Sequence, residues 1–176
     1  HFIAYPGFRE KLHGHNYRVA IALDGQLGPQ GYVVDFGVVK RIARRLCERL
    51  DERLLLPEQS DCLEIRTEGD AVHVRYEQDA FRFPRADVLL LPIVHTSVEE
   101  LAQYLAGELR RELDAEGVGP LDAIEVSVEE SFGQRAIFRR EGLDIPAHFV
   151  ERAPPFAGSD FLDVDDEQNR ASEGDA

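Results

Sequence analysis

The amino-acid sequence predicts an α+β domain, in which antiparallel strands pack against helices on one face. Residues 17–24 alternate apolar and polar side chains, as in a strand with one buried face. Residues 38–50 and 98–113 instead place apolar side chains every three or four positions, as in amphipathic helices. Short strand-like runs lie between the two helices and again after the second one. The predicted element order is β-β-α, a small β insert, α, β-β.

The first strand leads into a turn and a second predicted strand. The stretch "GQLGPQG", residues 25–31, has the glycine and proline content of a turn. The stretch "YVVDF", residues 32–36, is typical of a strand, and we expect it to form a hairpin with the first. Asp35 can cap the helix that follows.

The second helix is predicted to begin at Ser97, where Ser97 and Glu100 have the spacing of a capping box. Residues 60–92, between the helices, contain the short strand-like runs "CLEIRT", "AVHVRYE" and "AFRFP". After the second helix, "AIEVSVEE" and "RAIFRR" are predicted to pair as a hairpin across "SFGQ". The sequence therefore predicts two hairpin-and-helix units separated by the insert.

Charge and composition narrow the possible functions. The net charge of −14 leaves no basic surface for nucleic acid or anionic lipid, and no apolar run is long enough to cross a membrane. Cys47 and Cys62 form neither a CxxC pair nor a disulfide framework, so we expect a cytoplasmic protein. Cys47 falls at an apolar helical position, which favours a place in the core.

The C-terminal part has a different composition. Residues 141–176 hold ten acidic and two basic side chains together with proline and glycine, which predicts a disordered extension. The folded domain is therefore expected to span residues 1–140. The chain starts at His1 without an initiator methionine, and we expect residues to be missing before it.

Two histidines stand one residue apart in "EKLHGHNYRV", residues 10–19. Side chains two positions apart on a strand project from the same face, so His13 and His15 can bind one metal ion. Spacing alone leaves open a second reading, in which both are half-exposed polar side chains. A metal site also needs a third ligand, for which the candidates are His1, His73, His95 and His148.

The stretch "HFIAYPGFREKLHGHNYRV" resembles the zinc and active-site signature of the 6-pyruvoyl-tetrahydropterin synthase family, which includes the bacterial 6-carboxytetrahydropterin synthases. The resemblance continues through "GYVVDFGVVK", "LDERLLLP", "HTSVEELAQYL" and "VSVEES", and so covers roughly residues 1–140. It implies the tunnelling fold (T-fold), in which a four-stranded antiparallel sheet and two helices per subunit join into barrels. It also implies a homo-oligomer, typically a hexamer built as a dimer of trimers, whose first strand ends at His1.

The resemblance further implies the roles of individual residues. Zn²⁺ would hold the side-chain hydroxyls of a pterin substrate, 7,8-dihydroneopterin triphosphate, and its ligands would be His1, His13 and His15. Glu130 would bind the pterin ring by accepting two N–H hydrogen bonds. Ser97 and Glu99, at the start of the second helix, would line the pocket.

The sequence departs from the family pattern at the position of the catalytic base. The usual cysteine, four residues before the histidine pair, is replaced by Arg9. Glu10 instead resembles the branch called type III, in which a glutamate takes the place of the cysteine as acid–base group. That branch implies cleavage of the C1′–C2′ bond of the substrate and release of 6-hydroxymethyl-7,8-dihydropterin for folate synthesis.

A second departure affects the proton relay. Family members carry an Asp-His pair after the first long helix, whereas this chain has Asp51 followed by Glu52. Glu52 could carry the proton if burial raised its pKa, or His95 could replace the missing histidine. The sequence favours a zinc-dependent lyase that forms the hydroxymethyl product. The alternatives are a 6-pyruvoyl- or 6-carboxytetrahydropterin synthase and a non-catalytic relative that binds zinc or a pterin.

Overall fold

A computed structural model of the protein describes residues 1–142 and the main chain of residues 148–150. In chain order its elements are β1 (Ala4–Tyr5), β2 (Phe8–Arg9), β3 (Arg18–Asp24), α1 (Phe36–Leu50), β4 (Leu54–Pro57), β5 (Glu64–Glu68), β6 (Ala71–Tyr76), β7 (Asp79–Pro84), β8 (Val88–Leu91), α2 (Val98–Ala115), β9 (Ala123–Ser131), β10 (Gln134–Glu141) and β11 (His148–Val150). A single turn of 3-10 helix, Arg85–Asp87, separates β7 from β8.

The largest sheet is antiparallel and has four strands in the order β11-β10-β9-β3. β3 pairs with β9 from Arg18 opposite Glu129 to Asp24 opposite Ala123. β9 continues into β10 through the predicted hairpin. Residues 148–150, which fall in the predicted acidic extension, form β11 on the other side of β10. The remainder of that extension lies outside the described residues.

Both helices pack on one face of this sheet, which confirms the predicted α+β class. Their buried stripes, Val39 to Leu46 in α1 and Val98 to Leu113 in α2, enclose a core with the inward side chains of β3 and β9. Alternation makes that sheet face apolar, because Ile21 in β3 and Ile124, Val126 and Val128 in β9 point toward the helices. No helix among the described residues combines the length and apolar character needed to cross a membrane.

The predicted helix caps are present. The Asp35 side chain accepts a hydrogen bond from Gly37 N at 2.7 Å, and Ser97 Oγ accepts one from Glu100 N at 3.3 Å. The Glu100 carboxylate does not complete a capping box with Ser97. It accepts instead from the main-chain N–H groups of Val94 and His95, at 2.7 and 3.1 Å. Glu100 thereby fixes the segment that leads into α2.

The insert is a three-stranded antiparallel sheet, β5-β6-β7, as the sequence predicts. Its inner face packs on Phe2, Ala4 and Leu56 to form a second apolar cluster. Two pairings were not predicted: β1 with β2, and a parallel pair of β4 with β8. The parallel pair brackets the insert and joins it to the rest of the domain.

The prediction of a strand at residues 32–36 was wrong. Residues 32–34 form a bend after the turn at Gly28–Gly31, Asp35 is the N-cap, and Phe36 already begins α1. Val34 packs on the main core, while Asp35 is already committed to capping the helix. The partner of β3 is β9, which lies about a hundred residues further along the chain.

Candidate active site

Three histidines meet where the N-terminal segment runs beside the segment that precedes β3. His1 N donates to His13 O at 2.8 Å and His13 N donates to His1 O at 3.1 Å, so the two residues pair as in an antiparallel ladder. His13 and His15 precede β3 and do not stand on a strand, contrary to expectation. One ring nitrogen from each of His1, His13 and His15 lies within 4.8 Å of the others.

This arrangement fits a three-histidine metal site. The ring centroids of His1 and His13 are 4.7 Å apart, those of His13 and His15 are 4.7 Å apart, and those of His1 and His15 are 5.3 Å apart. Ligand nitrogens on a tetrahedral zinc are about 3.4 Å apart, a spacing that modest rotation of the rings can reach. Of the other predicted candidates, His73 and His95 do not belong to this group, and the side chain of His148 lies outside the described residues.

Hydrogen bonds on the far side of two rings determine which nitrogen faces the centre. His13 Nδ1 donates to the Lys11 carbonyl oxygen at 2.6 Å, since a carbonyl can only accept. His1 Nδ1 lies 3.2 Å from Thr96 Oγ1, and that hydroxyl donates to the Phe2 carbonyl oxygen at 3.3 Å. His1 Nδ1 must therefore also be a donor. Both rings consequently keep the Nε2 lone pair for a metal.

Thr96 is a site residue that sequence reasoning missed. It is 1% exposed, and its hydroxyl links the His1 ring to the segment before α2. The sequence did contain a signal, because Thr96 lies inside "HTSVEELAQYL", between the predicted site residues His95 and Ser97. A hydrogen bond from its second ring N–H orients a metal-ligating histidine, and the Thr96 hydroxyl accepts that bond from His1.

Tyr17 follows His13 and His15 at the same two-residue spacing. Its hydroxyl donates to His1 Nε2 at 3.0 Å, so it occupies the lone pair that a metal would take and must turn away when one binds, and its ring centroid lies 5.7 Å from that of His15. Burial raises the pKa of Tyr17, and the negative charges of Glu130 and Glu10 raise it further. These two carboxylates, carried by different parts of the chain, therefore both act on Tyr17.

Glu130 faces the cluster. Its Oε2 lies 3.9 Å from Nε2 of His15, and both side chains are 23% exposed. The neighbouring Glu129 faces elsewhere, with Oε2 3.7 Å from Arg18 Nη1 and Oε1 accepting from Gly133 N at 3.2 Å. The two glutamates thus point in different directions.

Glu10 is held on the edge of the site by the N-terminal segment. Its Oε2 accepts a hydrogen bond from Ile3 N at 2.9 Å, and its own N–H donates to Ile3 O at 2.9 Å. Ile3 follows His1 by two residues, so the same short segment carries a candidate metal ligand and the partner of the candidate base.

Comparison with known proteins decides the family. The model of the 6-pyruvoyl tetrahydropterin synthase family matches residues 1–141. The chain belongs to that family. A protein of Methanocaldococcus jannaschii, provisionally named a 6-carboxy-5,6,7,8-tetrahydropterin synthase, is 35% identical over 130 residues, which are 73% of this chain and 80% of the relative.

Solved structures of other members of the synthase family agree in fold. The 6-pyruvoyltetrahydropterin synthase of Plasmodium vivax has a TM-score of 0.76 and 38% sequence identity, over 80% of this chain and 88% of the other. The Plasmodium falciparum enzyme gives the same values. One solved structure of the Plasmodium vivax enzyme is a variant in which a glutamate, described as a catalytic residue, is replaced by alanine. The T-fold implied by the sequence is therefore confirmed.

The predicted relay residues of this family member lie at the exposed end of α1. Asp51 is the C-cap, with its N–H donating to Cys47 O at 3.0 Å, and Glu52 has a positive φ of 53°. Both are exposed, and no contact among the described residues joins either one to the three histidines. Such a φ is uncommon for a residue other than glycine, asparagine or aspartate.

The segment before α2 reaches the cluster through Thr96. His95 is half-buried and directly precedes Thr96 in the sequence. It is therefore bonded to a site residue, whereas Asp51 and Glu52 are not. Ser97 uses its hydroxyl as the helix cap, and Glu99 is exposed in the first turn of α2. The pterin contacts of Ser97 and Glu99 stay predictions.

Proposed function

We propose that this protein is a zinc-dependent pterin lyase that cleaves the side chain of 7,8-dihydroneopterin triphosphate and releases 6-hydroxymethyl-7,8-dihydropterin for folate synthesis. The observation that carries the proposal is the convergence of three histidine nitrogens within 4.8 Å, with the Glu130 carboxylate 3.9 Å from one of them. Membership of the 6-pyruvoyl tetrahydropterin synthase family supports the substrate class.

The residues that would hold zinc are His1, His13 and His15. When bound, the ion supplies positive charge that polarises the side-chain hydroxyls of the substrate and makes them more acidic. Thr96 and the Lys11 carbonyl oxygen orient the rings of His1 and His13 by accepting their Nδ1 protons. These partners keep each Nε2 directed toward the centre.

Glu130 would recognise the pterin ring. An ionised carboxylate can accept two parallel N–H hydrogen bonds from the amide and amino groups on one edge of the ring. Glu130 Oε2 lies 3.9 Å from His15 Nε2, so a pterin bound by this carboxylate would lie beside the proposed metal ligands. The charge of Glu130 thereby fixes the orientation of the substrate.

Glu10 would move the proton. In the cleavage, a base removes the proton of the 2′-hydroxyl, the C1′–C2′ bond breaks, and C2′ leaves as an aldehyde. The electron pair passes to C1′ and the conjugated ring, and C1′ then takes up a proton. Glu10 can both accept the first proton and return it, so the reaction needs no oxidant. A catalytic glutamate in the Plasmodium vivax enzyme supports this assignment.

Asp51, Glu52 and His95 would complete the relay. Asp51 and Glu52 are exposed at the end of α1, and we propose that they act across a contact with a neighbouring subunit. We therefore include a homo-oligomer, a hexamer of two trimers with sites at subunit interfaces, in the proposal. His95, next to Thr96, is the candidate that needs no partner subunit.

A second product has support of its own. The Methanocaldococcus jannaschii relative carries the name of a 6-carboxytetrahydropterin synthase, while the Plasmodium relatives are 6-pyruvoyltetrahydropterin synthases. Arg9 at the usual cysteine position argues against either reaction here, because a guanidinium stays protonated and cannot act as a base. A non-catalytic pterin-binding relative is the third candidate, favoured by Glu52 in place of the relay histidine.

Product analysis distinguishes these functions. The zinc-loaded protein is incubated with 7,8-dihydroneopterin triphosphate, and the pterins are oxidised and separated by chromatography. The proposal predicts 6-hydroxymethylpterin, and treatment with a chelator should abolish its formation. Formation of a pyruvoyl or carboxy product would show that the protein catalyses one of the alternative reactions. Recovery of intact substrate would favour the non-catalytic relative.

A further inference from the structure

Arg9 connects the insert to the segment that carries Glu10. Its Nε and Nη2 atoms donate to one oxygen of Asp79, at 2.7 and 2.5 Å, and Asp79 is the first residue of β7 in the insert. Its Nη1 atom donates to the carbonyl oxygen of Glu10 at 2.9 Å. One guanidinium therefore binds the insert and the candidate base at the same time.

Two aromatic rings hold this guanidinium in place. Its central carbon lies 5.0 Å from the centroid of Phe81, in β7, and 5.9 Å from that of Phe2. Phe2 is 1% exposed and directly follows His1, and the Arg9 side chain itself is 22% exposed. Partial burial of Arg9 strengthens the cation–π contacts, whereas the ion pair is open to water on one side because the Asp79 side chain is 51% exposed.

We call the pair of Arg9 and Asp79 the clamp. It binds the carbonyl oxygen of Glu10, the one main-chain group of that residue to which the N-terminal segment does not bind. Ile3 already binds the N–H and the carboxylate of Glu10. Arg9 binds the remaining carbonyl oxygen. Together the three hydrogen bonds fix the peptide planes on both sides of Glu10, and with them the direction of its side chain.

We infer that Arg9 is a positioning residue for Glu10, and that Asp79 and Phe81 make the insert part of the catalytic apparatus. The inference rests on the proposed function, in which Glu10 is the base. It gives a role to Arg9, which occupies the position of the cysteine of other family members. The Arg9 side chain transfers no proton but orients the carboxylate of Glu10. A shift of about 1 Å in a catalytic group can lower turnover by about 10²-fold.

The first test replaces Asp79, which keeps Arg9 and Glu10 intact. Asp79→Asn should lower kcat by about ten- to a hundredfold, with KM changed less than about threefold, because the loss concerns orientation and leaves pterin binding alone. Asp79→Glu should restore most of kcat. The matched control is Glu64→Gln, which disrupts the Arg75–Glu64 pair on the same sheet, at 2.6–3.2 Å. Equal kcat for Asp79→Asn and Glu64→Gln would overturn the inference.

A second variant distinguishes a loss of Glu10 orientation from a general loss of folded structure. Arg9→Lys keeps the positive charge, but one ammonium group cannot bind Asp79 twice and also reach the Glu10 carbonyl. Its kcat should fall as far as that of Asp79→Asn. In a Glu10→Gln background, Asp79→Asn should cause no further loss of kcat, since the clamp acts through Glu10. A full additional loss would mean that the clamp acts elsewhere, and would overturn the inference.

A measurement without turnover separates this inference from the proposed function. Hydrogen exchange of the Ile3 amide, which donates to the Glu10 carboxylate, should become at least about tenfold faster in Asp79→Asn and stay unchanged in Glu64→Gln. Unchanged exchange in Asp79→Asn would overturn the clamp. If Glu10→Gln turned over like the wild type, the proposed base would fail, and the exchange result would still decide whether Arg9 positions Glu10.

Discussion

The carboxylate of Glu130, which lies 3.9 Å from Nε2 of His15, belongs to the residue at a β-bulge in β9. Glu129 pairs with Arg135 and Ser131 pairs with Gln134, so Glu130 is an extra residue without a partner in β10. A bulge changes the direction in which the strand's next side chain points. Glu130 contacts His15 from this irregular position, whereas Glu129 contacts Arg18.

Glu130→Gln should weaken pterin binding without changing zinc content. The substitution keeps the size of the side chain but removes its charge and one acceptor, at an expected cost of about 1.5–3 kcal/mol in binding free energy. Titration calorimetry with a pterin product analogue measures the effect. Glu129→Gln, one residue away on the other face, is the control and should bind like the wild type. Equal dissociation constants for both variants would remove Glu130 from the pocket.

Replacing both His13 and His15 by alanine should abolish metal binding. We expect one zinc per subunit in the wild type and close to none in the double variant, measured by elemental analysis after dialysis. His73→Ala, in the insert, is the control and should keep its zinc. Zinc affinity should also weaken as the pH is lowered, because protons compete for the same ring nitrogens. Full zinc retention in the double variant would refute the ligand assignment.

Thr96→Val should weaken zinc binding although Thr96 is not a ligand. Valine has nearly the same shape but cannot accept the His1 Nδ1 proton, and loss of such an orienting partner costs about 10–100-fold in metal affinity. Competition with a coloured chelator gives the dissociation constant. Thr67→Val, at an exposed position of β5, provides a control for the substitution itself. Wild-type affinity in Thr96→Val would mean that the His1 ring is oriented by other contacts.

Stability should depend far more on the core than on the ion pairs between the helices. Leu109 in α2 is fully buried, so Leu109→Ala should lower the free energy of unfolding by about 2–5 kcal/mol. Among the described residues, exposed pairs that join α1 to α2 or its C-cap include Arg41–Glu116, Arg45–Glu112 and Arg49–Glu108. Arg45→Ala should cost only about 0.2–1 kcal/mol. Denaturant unfolding compares the two variants, and a larger loss for Arg45→Ala would reverse this ranking.

Local patterns in the sequence predicted most of the elements that build the fold. The alternation around Ile21 gave β3, and the apolar repeats ending at Leu50 and Leu113 gave both helices. Asp35 and Ser97 cap those helices as predicted. These predictions succeeded because each depends only on residues a few positions apart.

Features that depend on distant residues were beyond such reasoning. β4 and β8 are separated by the whole insert, and nothing in the run "LLLP" specifies a parallel partner. The orienting role of Thr96 requires its proximity to His1, 95 residues away. The bulge at Glu130 cannot be seen in an alternating pattern, and only the family resemblance pointed to Glu130. Residues 32–36 were misassigned because their strand-like composition also suits a segment that packs beside a helix start.

The central claim is that Glu10 acts as the base beside a three-histidine zinc site. Turnover of 7,8-dihydroneopterin triphosphate by Glu10→Gln, with zinc content and pterin affinity measured on the same sample, tests it most directly. Glutamine can still accept the hydrogen bond from Ile3 but cannot take a proton, so kcat should fall by about 10²–10⁴ while zinc and pterin binding persist. Wild-type turnover by Glu10→Gln would contradict the account and move the role of base to Asp51, Glu52 or His95.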